Sequence, residues 1–157
     1  MSEKVAHQAC RIDGLGEITL DIPLLELSDV SQVSETVMSP LVKASSEALA
    51  DRIRANAPNR TGDLRRGIVV SPAAERSTDP AKIVRDVYID ASMNDKFVKT
   101  TKDGKRYYYP ASQEYGFRKV TTGRVPGRYY MRDAAVEYAA EHRDRVADGV
   151  ANVLEEL

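Results

Sequence analysis

Apolar positions along this 157-residue chain fall into blocks of different period. In residues 10–20, Arg11-Ile12-Asp13 and Glu17-Ile18-Thr19-Leu20 alternate around Gly14-Leu15-Gly16. That is the pattern of a short hairpin or two edge strands. From Asp29 the spacing changes to three and four. Val30, Val33, Val37, Leu41, Ala44 and Ala48 share one helical face, which Leu49 and Ile53 widen. Ser28 or Asp29 can cap this stretch. Pro40 either kinks one long helix or opens a new one, with Ser39 as N-cap and Pro40 at the first helical position. A main helix over 40–57 with a shorter helical lead-in fits best. Pro58 ends it, because the residue before a proline is driven out of the helical region.

A turn cluster at 59–63 follows, and residues 64–70 read as a strand ending in Ile68-Val69-Val70. Residues 71–80 form a polar loop containing Pro72 and Pro80. Over 82–91, Ile83, Arg85, Val87 and Ile89 alternate with Val84, Asp86, Tyr88 and Asp90, which predicts a strand antiparallel to the previous one. Residues 93–127 are polar and irregular. Two glycine turns, Asp103-Gly104 and Thr122-Gly123, punctuate them, and Tyr107-Tyr108-Tyr109 looks like a strand start. A last helix is predicted over about 130–154. Its stripe is Met131, Ala134, Ala135, Tyr138, His142, Val146, Val150, Val153 and Leu157.

Regular βα alternation is missing, so a doubly wound parallel sheet is not expected. The prediction is an α+β fold: a small antiparallel sheet packed by two long helices, with a long basic, aromatic-rich loop. The length suits a single domain, 1–157. It divides into N-terminal strands or arm (1–28), helix (29–57), strand pair (58–92), long loop with a short strand (93–127) and C-terminal helix (128–157).

Composition removes several function classes. One cysteine, Cys10, leaves no internal disulfide framework and no multi-cysteine zinc site. His7 and His142 are the only histidines. The polar start and the interrupted apolar patch at 22–27 do not make a signal peptide. No run approaches the ~20 apolar residues of a spanning helix, so no membrane partner is expected.

Net charge is −1, yet the charge is unevenly spread. Segment 96–132 holds ten basic residues against Asp103 and Glu114, a local +8. The remainder, with 13 basic and 22 acidic residues, stands at −9. Eight of the ten aromatic residues lie in that same segment. Tyrosine and arginine dominate interface hot spots. They also suit single-stranded nucleic acid, through phosphate charge and base stacking. A protein–protein interface is the first reading, with Arg106, Tyr107, Tyr109, Glu114, Tyr115, Arg118, Lys119, Arg124, Arg128 and Tyr129 as candidate contacts. A nucleic-acid-binding module using 96–132 is the alternative. A solvated loop whose tyrosines cover the sheet is the plainest one.

Three motifs, in order, carry a resemblance. The first is Ala57-Pro58-Asn59-Arg60-Thr61-Gly62-Asp63-Leu64-Arg65, followed by Gly67-Ile68. Here Pro58 ends a helix, Thr61 and Gly62 reverse the chain, and Leu64 drops into the core. The second is Tyr109-Pro110-Ala111-Ser112-Gln113-Glu114-Tyr115-Gly116. In it Glu114 is expected to pair with an arginine or lysine, and Gly116 to permit a turn. The third is Pro126-Gly127-Arg128-Tyr129-Tyr130-Met131-Arg132-Asp133-Ala134, a proline-aromatic start to the final helix. Together they resemble the tail-component family of tailed, siphophage-type bacteriophages, which includes tail-completion, neck and head–tail joining proteins.

The resemblance implies a structural virion protein at the head–tail interface, made in the host cytoplasm. Its implied partners are other copies of itself in a ring, and phage connector, tail-terminator or tail-tube proteins. DNA passing through the lumen is a further implied contact. No cofactor, metal or catalytic residue is expected. His142 sits on an apolar stripe and reads as a packing residue. Cys10 reads as an unreactive thiol, and Glu155-Glu156 as a solvated tail. Asp86 and Asp90 share a strand face without making a metal site. Neither a Walker loop, a His-Glu-x-x-His motif nor a nucleophile elbow occurs.

Overall fold

The computed structural model describes residues 4–12, 16–24, 37–72, 83–119, 121 and 123–155. The elements in order are strands β1 (Lys4–Ile12) and β2 (Gly16–Leu24), helix α1 (Ser39–Asn56), a helical turn α2 (Asp63–Gly67), strands β3 (Ile68–Val70) and β4 (Val87–Ile89), and a short helix α3 (Asn94–Phe97). They continue with strands β5 (Val98–Thr100) and β6 (Arg106–Tyr108), helix α4 (Tyr109–Tyr115), strands β7 (Gly116–Lys119) and β8 (Gly123–Pro126), and helix α5 (Tyr130–Glu155). The fold is α+β with small antiparallel sheets. Among the described residues the strands form four separate two-stranded ladders, where one small sheet was expected. Three of the ladders are only three or four residues long.

The N-terminal alternation does form an antiparallel hairpin, longer than expected, running from the Lys4↔Leu24 pair to Ile12↔Gly16. Its turn at 13–15, the lead-in with Ser28, Asp29, Val30 and Val33, most of the 71–80 loop, and Glu156 and Leu157 lie outside the described residues.

Helix α1 begins with Pro40 in its first turn, where a missing N–H costs nothing. Met38, not Ser39, occupies the N-cap, and no side chain caps it. Ala57 is extended, as a residue before proline must be. The buried face is rotated from the expected one: Ala44 is exposed, while Val42, Ser45, Ser46, Leu49, Ala50 and Ile53 are buried. The two serines are tolerated there because they are satisfied. Ser46 Oγ donates to the Val42 carbonyl at 2.6 Å. Ser45 Oγ lies 3.2 Å from the Tyr138 hydroxyl and is hydrogen-bonded to His142 Nδ1. Being small, they let α1 and α5 approach closely.

Helix α5 buries the predicted stripe through Ala134, Ala135, Tyr138, His142, Val146 and Val150. Gly149 leaves room for Leu41, whose Cδ2 lies 2.4 Å from where a Cβ would stand. The main core joins α1 and α5 to Leu64, Ile68 and Val87.

Segment 64–70 is not one strand. Residues 63–67 make the helical turn α2, which buries Leu64, and extension begins only at Ile68. Gly62, at φ 77°, precedes the turn. Two arginines then bind the junction. Arg65 donates to the Ala57 carbonyl from Nε at 3.3 Å and Nη2 at 3.2 Å, closing the open end of α1. Arg54 donates to the Ile68 carbonyl from Nη2 at 2.7 Å and Nε at 3.2 Å. Strand β4 is likewise only three residues, antiparallel to β3 as expected.

The polar stretch 93–127 is not a loop. Its two glycine turns are hairpin turns, with Gly104 at φ 77° and Gly123 at φ 79°. They join β5 to β6 and β7 to β8, and α4 lies between the hairpins. Strand β6 ends at Tyr108, and Tyr109 already belongs to α4. Phe97 anchors the first hairpin. It is buried against Gly67, where any Cβ would stand 2.8 Å from its ring, and it meets Tyr108 edge-on at 6.2 Å.

Burial holds the His142 imidazole below its ordinary pKa of 6.5. Below that pH the unfolded chain takes up a proton that the folded chain refuses. This contribution to stability is therefore full above pH 6.5 and declines as pH falls toward the lower folded value. Thermal melts at about pH 7.5 and about pH 5.5 should show the loss, and His142→Gln should shrink the difference between them.

Candidate assembly surface

The second and third sequence motifs meet in space. Glu114 is only 5% exposed and pairs with no arginine or lysine among the described residues. Its carboxylate instead caps α5: Oε2 accepts from the Met131 N–H at 2.9 Å and Oε1 from the Arg132 N–H at 3.1 Å. The Glu114 carbonyl accepts the Tyr129 N–H at 3.1 Å, and the Gln113 carbonyl the Arg128 N–H at 2.8 Å. Four amides leading into α5 are thus satisfied from the end of α4. An anion at a helix N-terminus is favoured by the unpaired N–H groups and by the helix dipole. This corrects the expected surface salt bridge. The amides of residues 131 and 132 take both carboxylate oxygens.

Two glycines permit the contact. A Cβ on Gly127 would stand 2.1 Å from the Glu114 carbonyl oxygen, and one on Gly116 2.3 Å from the Val125 carbonyl oxygen. Gly116 also has φ 81°, a conformation other residues rarely adopt. Tyr129, at φ 50°, is the non-glycine residue with a positive φ among those described. Its carbonyl accepts the Asp133 N–H at 2.8 Å, and the Arg132 guanidinium stacks on its ring at 3.9 Å. These contacts hold a conformation that costs roughly 1–2 kcal/mol. Tyr130 is buried beside Glu114, and its hydroxyl has no hydrogen-bond partner among the described residues. Burial, with Glu114 nearby, pushes that phenol well above its usual range.

The remaining candidate contacts divide by exposure. Tyr107 (47%), Tyr115 (61%) and Phe117 (40%) present aromatic surface to solvent. Arg106, Arg118, Lys119, Arg124 and Arg128 are exposed, while Tyr109 and Tyr129 are half-buried. Phe97 and Tyr130, in the aromatic-rich segment, belong to the interior. The β7–β8 hairpin sets Arg118 directly opposite Arg124, two like charges on one face. Lys119 lies over the Phe117 ring at 5.9 Å on the other face. Beside the β5–β6 hairpin is an open recess of about 490 Å³, lined by Ile89, Ala91, Asn94, Val98, Arg106, Tyr107 and Tyr108.

The first motif is a structural junction. Thr61 Oγ1 donates to Asp63 Oδ2 at 2.6 Å, which with Arg66 and Lys96 holds the Asp63 carboxyl below its usual range. Pro58 is half-buried at the end of α1. Asp86 and Asp90 flank β4, where Asp90 accepts the Ser92 N–H at 2.8 Å. Among the described residues no group of three His, Cys, Asp or Glu is placed to hold a metal. No described helix is long and apolar enough to cross a membrane. The Ser45–His142 pair joins two residues that are each at least nine-tenths buried, and no carboxylate orients the imidazole among the described residues.

Residues 24–116 match the family described as Bacteriophage HK97-gp10, putative tail-component. The chain belongs to this family. The match covers more than half of the sequence, including the first two motifs, and ends at Gly116; the third motif and α5 lie beyond it. No curated protein and no solved structure matches the chain. The HK97-gp10-like region therefore contributes Glu114 and Gly116, and the residues that follow contribute the helix they hold.

Glu114→Ala should cost about 2–4 kcal/mol in urea unfolding and Glu114→Gln about half as much, because Gln keeps one acceptor oxygen. Tyr130→Phe should leave stability unchanged or raise it by up to ~1 kcal/mol, since it removes a buried hydroxyl with no partner.

Proposed function

We propose that this chain is a neck or tail-completion subunit that acts in head–tail joining of a tailed bacteriophage. In this reading it is a structural virion protein, assembled as a ring of identical copies. The observation that carries it is the pair of short cationic hairpins, β5–β6 and β7–β8, projecting aromatic and basic side chains from a capped, closely packed scaffold. Membership in a bacteriophage tail-component family supports it. Exposed tyrosine and arginine on short hairpins are the ingredients of a protein-binding surface. A heterologous contact between copies closes into a ring when its rotation permits. Connector, tail-terminator or tail-tube proteins are the neighbours above and below such a ring.

The alternative, a nucleic-acid-binding role, would use the same cations on phosphate. Burial of Phe97 and Tyr130 shortens the stacking platform it needs. A gel-shift salt series separates the two, since phosphate binding weakens steeply with salt.

Replacing Arg118, Lys119, Arg124 and Arg128 together with Glu should abolish joining of heads to tails in a complementation assay while the isolated protein keeps its melting transition. Infectious particles at normal yield from that variant would sink the proposal.

A further inference from the structure

Arg118 and Arg124 stand opposite each other on the β7–β8 hairpin, both exposed, and neither forms an ion pair with any described residue. Like charges directly across a ladder repel. An isolated hairpin gains nothing from this arrangement; an anionic surface laid across that face would.

Such a surface occurs on the same chain. At 100° per residue, Asp133, Glu137, Glu141, Asp144 and Asp148 of α5 fall within a sector of ~80°. Asp133 is paired with Arg132, and Glu141 with Arg52 and Arg145. Glu137, Asp144 and Asp148 are exposed and pair with no described residue. Asp144 and Asp148 are one helical turn apart, ~6 Å along the axis. The two arginines are ~5 Å apart across the strands. The spacings match, so each guanidinium can take one carboxylate.

We propose that the β7–β8 hairpin of one copy docks across the acidic stripe of α5 on a second copy. This rests on the ring reading above and names the two surfaces that meet. The contact is heterologous: every copy offers one hairpin and one stripe, and every added copy leaves one of each free until the ring closes. Its charges are exposed, so it weakens with ionic strength.

Charge reversal on each side tests it. In sedimentation at low salt, wild-type protein should self-associate, and both Arg118→Glu with Arg124→Glu and Asp144→Lys with Asp148→Lys should weaken that by at least ~tenfold. All four substitutions in one chain rebuild the pair with opposite sign and should restore association, as should an equal mixture of the two variants. Circular dichroism melts establish that each variant is folded. Wild-type protein that stays monomeric, reversals without effect, or a folded four-fold variant that fails to recover overturns the proposal. So does duplex DNA binding lost on arginine reversal while self-association persists. Head–tail joining by the same variants separates the two ideas. Joining that survives loss of self-association sinks the ring reading alone. Joining lost with self-association intact sinks the docking alone.

Discussion

The buried carboxylate of Glu114 is the contact on which the arrangement of this fold depends. It closes the start of a 26-residue helix from a short helix that lies before the β7–β8 hairpin in the chain. A desolvated charge is costly unless hydrogen-bonded, and here the backbone supplies the donors. The cap therefore fixes where α5 begins and how α4 and the hairpin stand against it. With the Gln113 and Glu114 carbonyls, which accept the Arg128 and Tyr129 amides, it ties the end of α4 to the start of α5.

Around that contact the molecule divides into two kinds of surface. The interior seam between α1 and α5 interleaves larger apolar residues with small ones and a satisfied polar group, with Ser45 bridging Tyr138 and His142. Arg52 sits over the Tyr138 ring at 5.8 Å and pairs with Glu141 at 3.1 Å, guarding the seam's edge. The outside carries the two cationic hairpins, whose strand arginines Arg106, Arg118 and Arg124 pair with no acidic group among the described residues. Packing there is light, so side chains are free to be chosen for partners rather than for the core.

Much of this was legible in the sequence, and the failures have physical causes. The stripe of α5 was readable because Ala134, Tyr138, Val146 and Val150 are apolar at helical spacing. The face of α1 was misread because Ser45 and Ser46 look polar, and only a partner helix reveals that their hydroxyls are satisfied. The hairpins within 93–127 were missed because strands exposed on both sides show no alternation, although Gly104 and Gly123 marked their turns. Residues 64–66 looked extended because a five-residue helical turn is too short to display a period. Glu114 was singled out for its motif but given the wrong partner, since nothing local to residue 114 shows that the amides of residues 131 and 132 lie beside it. The roles of Arg54 and Arg65 leave no trace in the sequence, although Arg65 falls in the first motif: an arginine serving a carbonyl eight or fourteen residues away leaves no periodic mark.

The crossing of Gly116 and Gly127 has a mechanical consequence. Where the hairpin's two ends pass, backbone lies on backbone at distances that admit no side chain. Side chains are the compliant parts of a protein, and here there are none to absorb a displacement. A residue larger than glycine at either position would have to part the base of the hairpin from the entry to α5, because the atoms it meets are peptide groups that cannot rotate aside.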